Sequence, residues 1–239
     1  MSKRVKKRFT SDVNVIDFQT YLPVKKQRVK LLPRNKHQET YLYSLNDDSK
    51  NIVFAVGPAG TGKTMLAVQH GIRLMQEGRV EKIIVTRPAV SVDEDLGFLP
   101  GTLQEKMAPW TRPIFDVLGE YYSQKDITEM LKESVIEISP LAYMRGRTFK
   151  NAYIIADEMQ NATVSQTKML LTRLGDYSRM IVTGDLAQSD RNKEESGLEA
   201  FLELYHGAGG SDSVKIVTFD NHDVERHPVV KEILRIYQD

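Results

Sequence analysis

Short apolar runs alternate along the chain with longer segments whose apolar residues recur at helical spacing. Asn51–Val56 is apolar and rich in β-branched residues, the composition of a parallel strand buried on both faces. Met65–Glu77 follows, with Met65, Leu66, Val68, Ile72, Leu74 and Met75 at mostly helical spacing. The alternation continues with strands over Lys82–Thr86, Val135–Ser139, Ala152–Ala156, Arg179–Thr183 and Lys215–Phe219. Between and after them, helices are predicted over Leu103–Tyr122, Lys125–Glu133, Val164–Leu174, Gly197–His206 and Val229–Tyr237. Pro109 and Pro113 put a start or a break in the first of these. A short helix over Lys36–Leu45 precedes the first strand, and Ala89–Gly101 is a loop that ends on the turn signal Pro100-Gly101. Such alternation builds an α/β fold around a mostly parallel sheet. Residues 9–36, with Pro23 and Pro33, hold only short mixed runs and read as extended chain lying on the core.

Composition adds a boundary and a charge asymmetry. With 41% hydrophobic and 27% charged residues among 239, the chain can bury one sizeable core in water. No run reaches the length of a membrane span and no charged n-region with an apolar h-region opens the chain. A cytoplasmic protein with no membrane partner is expected. There is no Cys, so disulfides and thiolate metal sites are excluded. His37, His70, His206, His222 and His227 show no metal-binding spacing. The net charge of +1 is unevenly spread, with +9 in residues 1–36 and −8 in the remainder. Met1–Arg8 reads as a disordered basic tail, and residues 1–35 as a basic extension to a domain over 36–239. A basic start on a mildly acidic body suits a polyanion such as nucleic acid.

The candidate chemistry sits at strand ends. Gly57-Pro58-Ala59-Gly60-Thr61-Gly62-Lys63-Thr64 matches the P-loop pattern G-x-x-x-x-G-K-[ST] in full, between a strand and a helix as that loop requires. Its glycines let the backbone approach phosphate, and the helix start adds free N–H donors and a dipole. Lys63 would reach the β- and γ-phosphates of a nucleotide, and the Thr64 hydroxyl would ligate Mg²⁺. Downstream, an apolar strand ends in Asp157-Glu158, the Walker B pattern. Asp157 holds Mg²⁺ there, usually through its water shell, and Glu158 polarises the attacking water. Gly184-Asp185-Leu186-Ala187-Gln188 is a further polar strand end, on the sheet edge where ligands bind, so Gln188 is placed to meet the γ-phosphate or the water. Arg145 and Arg147 flank Gly146, either presenting guanidinium groups to phosphate or forming a solvated basic turn. Trp110 offers a stacking surface for a base or fills core at a helix break. Gln38 resembles the Q motif of helicases, in which the amide reads the adenine edge, with Tyr41 near the base. The alternative is two ordinary polar helix residues.

Together these segments resemble the PhoH-like family of P-loop ATPases. The residues that carry the resemblance are 57–64, Met144-Arg145-Gly146-Arg147-Thr148, Asp157-Glu158-Met159-Gln160-Asn161, Gly184-Asp185 with Gln188, and Arg226-His227-Pro228. It spans about residues 36–239. The resemblance implies a RecA-like core similar to the N-terminal half of superfamily 1 helicases. Helices would then cover both faces of the sheet, and the P-loop strand would lie next to the Walker B strand. It also implies ATP and Mg²⁺ as ligands, and RNA or single-stranded DNA as partners.

Three functional readings follow. The first is Mg²⁺-dependent ATP hydrolysis coupled to moving or remodelling RNA or single-stranded DNA. The second is a nucleotide-dependent switch with little turnover. The third, a small-molecule phosphotransferase, conflicts with Glu158, because a kinase needs its acceptor where the water would sit. Phosphoryl transfer at useful rates also wants an arginine beside the γ-phosphate. Two-domain helicases draw it from their second RecA-like domain, for which this chain is too short. It is expected from the chain's own C-terminal part or from a neighbouring copy. By resemblance to other lone RecA-like motors, a closed ring is expected, with six subunits favoured. Arg226 is the first candidate for that arginine, with Arg145 and Arg147 as alternatives.

Removing the Met1–Arg8 tail takes away five cations. If the tail holds a single strand, the slope of log K against log salt should flatten by up to about 3.5. Anisotropy titrations of labelled RNA between about 50 and 200 mM salt measure this. Equal affinity and slope for the two chains would make the tail a solvated end.

Overall fold

The computed structural model describes residues 28–88, 103–188 and 196–225, with Val229 and Ile236 beyond them, and for 103–109 only the helix path. In chain order the described elements are α1 (Lys36–Asn46), β1 (Ile52–Val56), α2 (Lys63–Gln76), β2 (Lys82–Arg87), α3 (Leu103–Tyr121), α4 (Gln124–Lys132), β3 (Ile136–Pro140), β4 (Ala152–Ala156), α5 (Val164–Leu171), β5 (Arg179–Gly184), α6 (Gly197–Gly207) and β6 (Val214–Thr218). The six strands form one sheet in the order β3-β2-β4-β5-β1-β6, and every neighbouring pair is parallel. The α/β class expected from the sequence, a parallel sheet with helices on both faces, is the class found.

Alternate residues of each strand serve opposite faces. Val53, Ala55, Ile83, Val85, Tyr153, Ile155 and Ile181 pack beneath α1–α4. Phe54, Ile84, Ile154, Met180 and Val182 pack with Leu170 of α5 and Leu198 of α6 on the other face. Val29 and Leu31, upstream of α1, lie against the first of these clusters. Gly71 lets α2 settle closely on the sheet, since a Cβ there would stand 2.7 Å from the Tyr153 ring. Among the described residues no helix is long and apolar enough to cross a membrane.

The strand order corrects one expectation. The P-loop strand β1 does not neighbour the Walker B strand β4, because β5 lies between them. The motifs name which strands carry chemistry, but adjacency depends on how the crossovers pack. The two motif strands are therefore about 10 Å apart, two strand spacings, and the end of β5 becomes the floor between them. Two helices also differ from their predicted form. α3 continues unbroken through Pro109 and Pro113, and Pro113 lies on its exposed side. α5 stops at Leu171 instead of reaching Leu174. There the chain peels away to pair with the strand-like stretch at Phe149, with Phe149 N–H donating to Arg173 O at 2.9 Å and Gly175 N–H to Phe149 O at 2.7 Å. The helix predicted at Val229–Tyr237 lies outside the described residues apart from its isolated members Val229 and Ile236.

His70 on α2 is fully buried, with Nδ1 3.0 Å from the Tyr153 hydroxyl and no hydrogen-bond partner at Nε2 among the described residues. Burial first, then the charges of Arg73, Arg179 and Arg79, hold its pKa well below the ordinary value. Above about pH 6.5 the ring is neutral in both folded and unfolded chains, so it carries no penalty. As pH falls below that, the unfolded chain takes up a proton that the folded chain refuses. Stability should then drop by about 1.4 kcal/mol per pH unit until the folded pKa is reached. Urea unfolding between about pH 7 and 5 should show this slope in the wild type and its loss in His70→Gln.

Candidate active site

The loop from Gly57 to Thr64 is shaped by its glycines and fixed from several sides. Gly57 has φ of +145°, and a Cβ there would stand 2.4 Å from the Phe219 carbonyl oxygen just past β6. Its N–H donates to Gly184 O of β5 at 3.1 Å. On the other side Gly60 O accepts from Glu225 N–H at 3.0 Å. Helices α1, α4, α5 and α6 each open with a side chain that caps a backbone N–H. Helix α2 opens with left-handed Gly62 and has no side-chain cap, so its first-turn donors and dipole point into the loop. The Lys63 ammonium donates to Gly57 O at 2.6 Å and Pro58 O at 2.7 Å. Burial lowers its pKa, against the opposing pull of Asp185, Glu158 and Asp157.

A hydroxyl–carboxylate corner adjoins the loop. Thr64 Oγ1 donates to Asp157 Oδ1 at 2.7 Å, and Thr183 Oγ1 donates to the same oxygen. The Asp157 peptide is fixed by donation to Thr86 O at 2.9 Å. These are hard oxygen donors of the kind Mg²⁺ takes, directly or through its water shell. Thr64 and Asp157 therefore fit that ion. Glu158 follows in the left-handed region at φ 55°, ψ 38°, a conformation that costs a side-chain-bearing residue about 1 kcal/mol or more. Its Oε2 accepts from Gln160 Nε2 at 2.6 Å.

The end of β5 completes the site. Asp185 Oδ2 accepts from Ala59 N–H of the loop, and Oδ1 from Ala187 N–H, both at 3.1 Å. Gln188 N–H donates to Asp185 O at 3.0 Å, closing a short turn. Lys63, Thr64, Asp157, Glu158, Asp185 and Gln188 converge on one cleft of 230 Å³. The sequence pattern points to five of these six. It holds Asp185 only as part of a polar strand end and Thr183, whose hydroxyl meets Asp157, only as a strand residue.

Other predicted residues lie elsewhere. Gln38 is 1% exposed, and its amide spans two backbone groups, accepting from Arg34 N–H at 2.9 Å and donating to Thr61 O at 3.0 Å. It braces the loop from behind and presents no open edge to an adenine. Tyr41 is fully buried against Phe219, with ring centroids 5.7 Å apart, and belongs to the core. Trp110 is partly buried against the same core. Arg147 forms a two-pronged ion pair with Glu137 of β3 and lies over the Phe149 ring at 4.8 Å. That strand is four spacings, about 19 Å, from β1, so within one subunit Arg147 is structural. Arg145 is exposed in the adjoining turn. Arg226 and the basic tail lie outside the described residues. His37 Nδ1 pairs with Asp223 Oδ2 at 2.6 Å, fastening α1 to the segment that leads to Glu225.

A family model described as PhoH-like protein matches residues 30–238. A PhoH-like protein of Bacillus subtilis is 47% identical over 188 residues, covering 78% of this chain and 58% of that protein. A PhoH-like protein of Mycobacterium tuberculosis H37Rv is 44% identical over 206 residues, 86% of this chain and 57% of its own length. Protein PhoH of Escherichia coli K12 is 42% identical over 210 residues, with coverages of 87% and 58%. The chain thus spans under three fifths of the length of these curated relatives. Among solved structures, Pif1 helicase from Candida albicans aligns over 79% of this chain and 40% of its own, at 15% identity and a TM-score of 0.37.

If Gln38 braces the loop and does not read a base, Gln38→Ala should weaken ATP and GTP binding in equal proportion. The buried partners it abandons should cost about 1–3 kcal/mol of stability. Parallel ATP and GTP titrations with a urea melt test both statements; a selective loss of ATP would return Gln38 to base recognition.

Proposed function

The chain belongs to the PhoH-like family, and on that premise we propose that it binds ATP and hydrolyses it with Mg²⁺, coupling turnover to RNA or single-stranded nucleic acid. One observation carries the reading. Thr64, at the head of the helix that follows β1, and Asp157, just past β4, meet at 2.7 Å although β5 separates the two strands, with Glu158 beside them.

The chemistry follows from the chain's own groups. Lys63 would exchange two carbonyl acceptors for phosphate oxygens, which carry full charge and bind an ammonium more strongly. The uncapped start of α2 supplies further donors. Thr64 and Asp157 would hold Mg²⁺, which neutralises charge on the β- and γ-phosphate oxygens. Glu158 accepts a proton from the attacking water as the bond to the β-phosphate breaks, and Gln188 senses the γ-phosphate. Among the described residues no arginine lines the cleft. The arginine would then come from the chain's own C-terminal part or from a neighbouring copy in a ring, six subunits favoured, with Arg226 first and Arg145 or Arg147 as alternatives. If a neighbour supplies it, mixing Arg226→Ala with Lys63→Ala subunits should restore activity at shared interfaces.

The deciding experiment is an ATPase assay with and without RNA, single-stranded DNA and duplex. Lys63→Ala should lose nucleotide binding or turnover while remaining folded. Glu158→Gln should lose about 100-fold or more in turnover and keep ATP binding. Full hydrolysis by folded Lys63→Ala would sink the loop assignment. A Glu158→Gln protein indistinguishable from a barely active wild type would favour the nucleotide switch.

A further inference from the structure

Gln160, two residues past the acid pair, is 1% exposed. Its carboxamide joins two groups of different elements. Nε2 donates to Glu158 Oε2 at 2.6 Å, and Oε1 accepts from the backbone N–H of Asp185 at 3.1 Å. Gly184 keeps this strand end close to both neighbours: a Cβ there would stand 2.4 Å from Leu198 Cδ2 and 3.1 Å from Gln160 Oε1. The Asp185 carboxylate in turn accepts from Ala59 N–H of the P-loop at 3.1 Å. A continuous path of hydrogen bonds, joined through the atoms of Asp185 and Gln160, thus runs from the P-loop, through the end of β5, to Glu158.

A carboxamide suits this place because it donates and accepts at once. Glutamate would keep the acceptor for Asp185 but offer nothing to Glu158. Methionine would do neither, at similar volume. Glu158 needs such support, since a glutamate side chain has three rotatable bonds and a general base must be held to about 0.5 Å to act. We propose that Gln160 is a positioning residue: it holds one oxygen of Glu158 against the end of β5, so that the orientation of the base follows the position of Asp185 and the P-loop. The inference rests on the hydrolytic reading of the site given above.

The test compares wild type, Glu158→Gln, Gln160→Met and Gln160→Glu in steady-state ATPase assays, with nucleotide binding and thermal melting of each. Gln160→Met should lower kcat about 10- to 100-fold, the cost of a misplaced base, while KM and the Kd for ATP stay within about threefold. Gln160→Glu keeps the acceptor for the Asp185 N–H and removes the donor to Glu158 at nearly equal volume, so its kcat should also fall about 10-fold or more while KM and the Kd for ATP stay within about threefold. A merely structural Gln160 would not confine the loss to kcat. The role is overturned if Gln160→Met retains kcat within about twofold, or if its kcat and nucleotide affinity fall together. Should Gln160→Met fail to fold, the same split between kcat and KM in Gln160→Glu decides. A wild type without ATPase activity on any nucleic acid overturns both readings. Active wild type, dead Glu158→Gln and fully active Gln160→Met overturn the positioning role alone.

Discussion

One oxygen of Asp157 holds the site together. It accepts hydroxyl protons from Thr64 at the head of α2 and from Thr183 at the end of β5, while the residue's own N–H is bound to β2. A carboxylate only 8% exposed is costly unless it is hydrogen-bonded and faces an opposite charge. Two hydroxyls supply the first condition and the nearby Lys63 ammonium supplies the second. The same bonds bring the helix, the loop and three strand ends into register, so the electrostatic solution for Asp157 is also the geometric solution for the cleft.

The placement of residues that follows from local pattern was legible in the sequence. The P-loop, the apolar strand before Asp157-Glu158 and the polar end of β5 each advertise themselves through spacing. What was not legible depends on packing between segments far apart in the chain. Strand order is one case, since nothing in the motifs says that β5 passes between β1 and β4. Gln38 is another: a glutamine upstream of a P-loop has the same composition whether it faces a base or the back of Thr61. Arg147 is a third, because only the fold brings Glu137 within reach. The end of α5 is not legible either, because Leu174 continues the helical spacing while the pairing that diverts the chain is with Phe149, some 25 residues upstream.

Polar groups of the loop have partners within the protein. Lys63 is satisfied by carbonyls of its own loop, Ala59 by Asp185, and Thr61 by Gln38. Such internal satisfaction keeps buried polar groups from standing unpaired. It also means that any anion entering the loop competes with existing bonds, so binding measures the difference between two satisfied arrangements and not the full strength of either.

The approach of Phe219 to Gly57 has a consequence for synthesis. Residues far apart in the chain must meet before the phosphate loop has its wall: β6 pairs beside β1, and Glu225 closes on Gly60. A ribosome delivers the chain from its N-terminus, at roughly 5–20 residues per second. The signature segment therefore emerges some 160 residues before its last support, a delay of about 8–32 seconds at that rate. During that interval the nascent loop has its sequence but not its architecture, so whatever recognises the finished loop meets it late in folding.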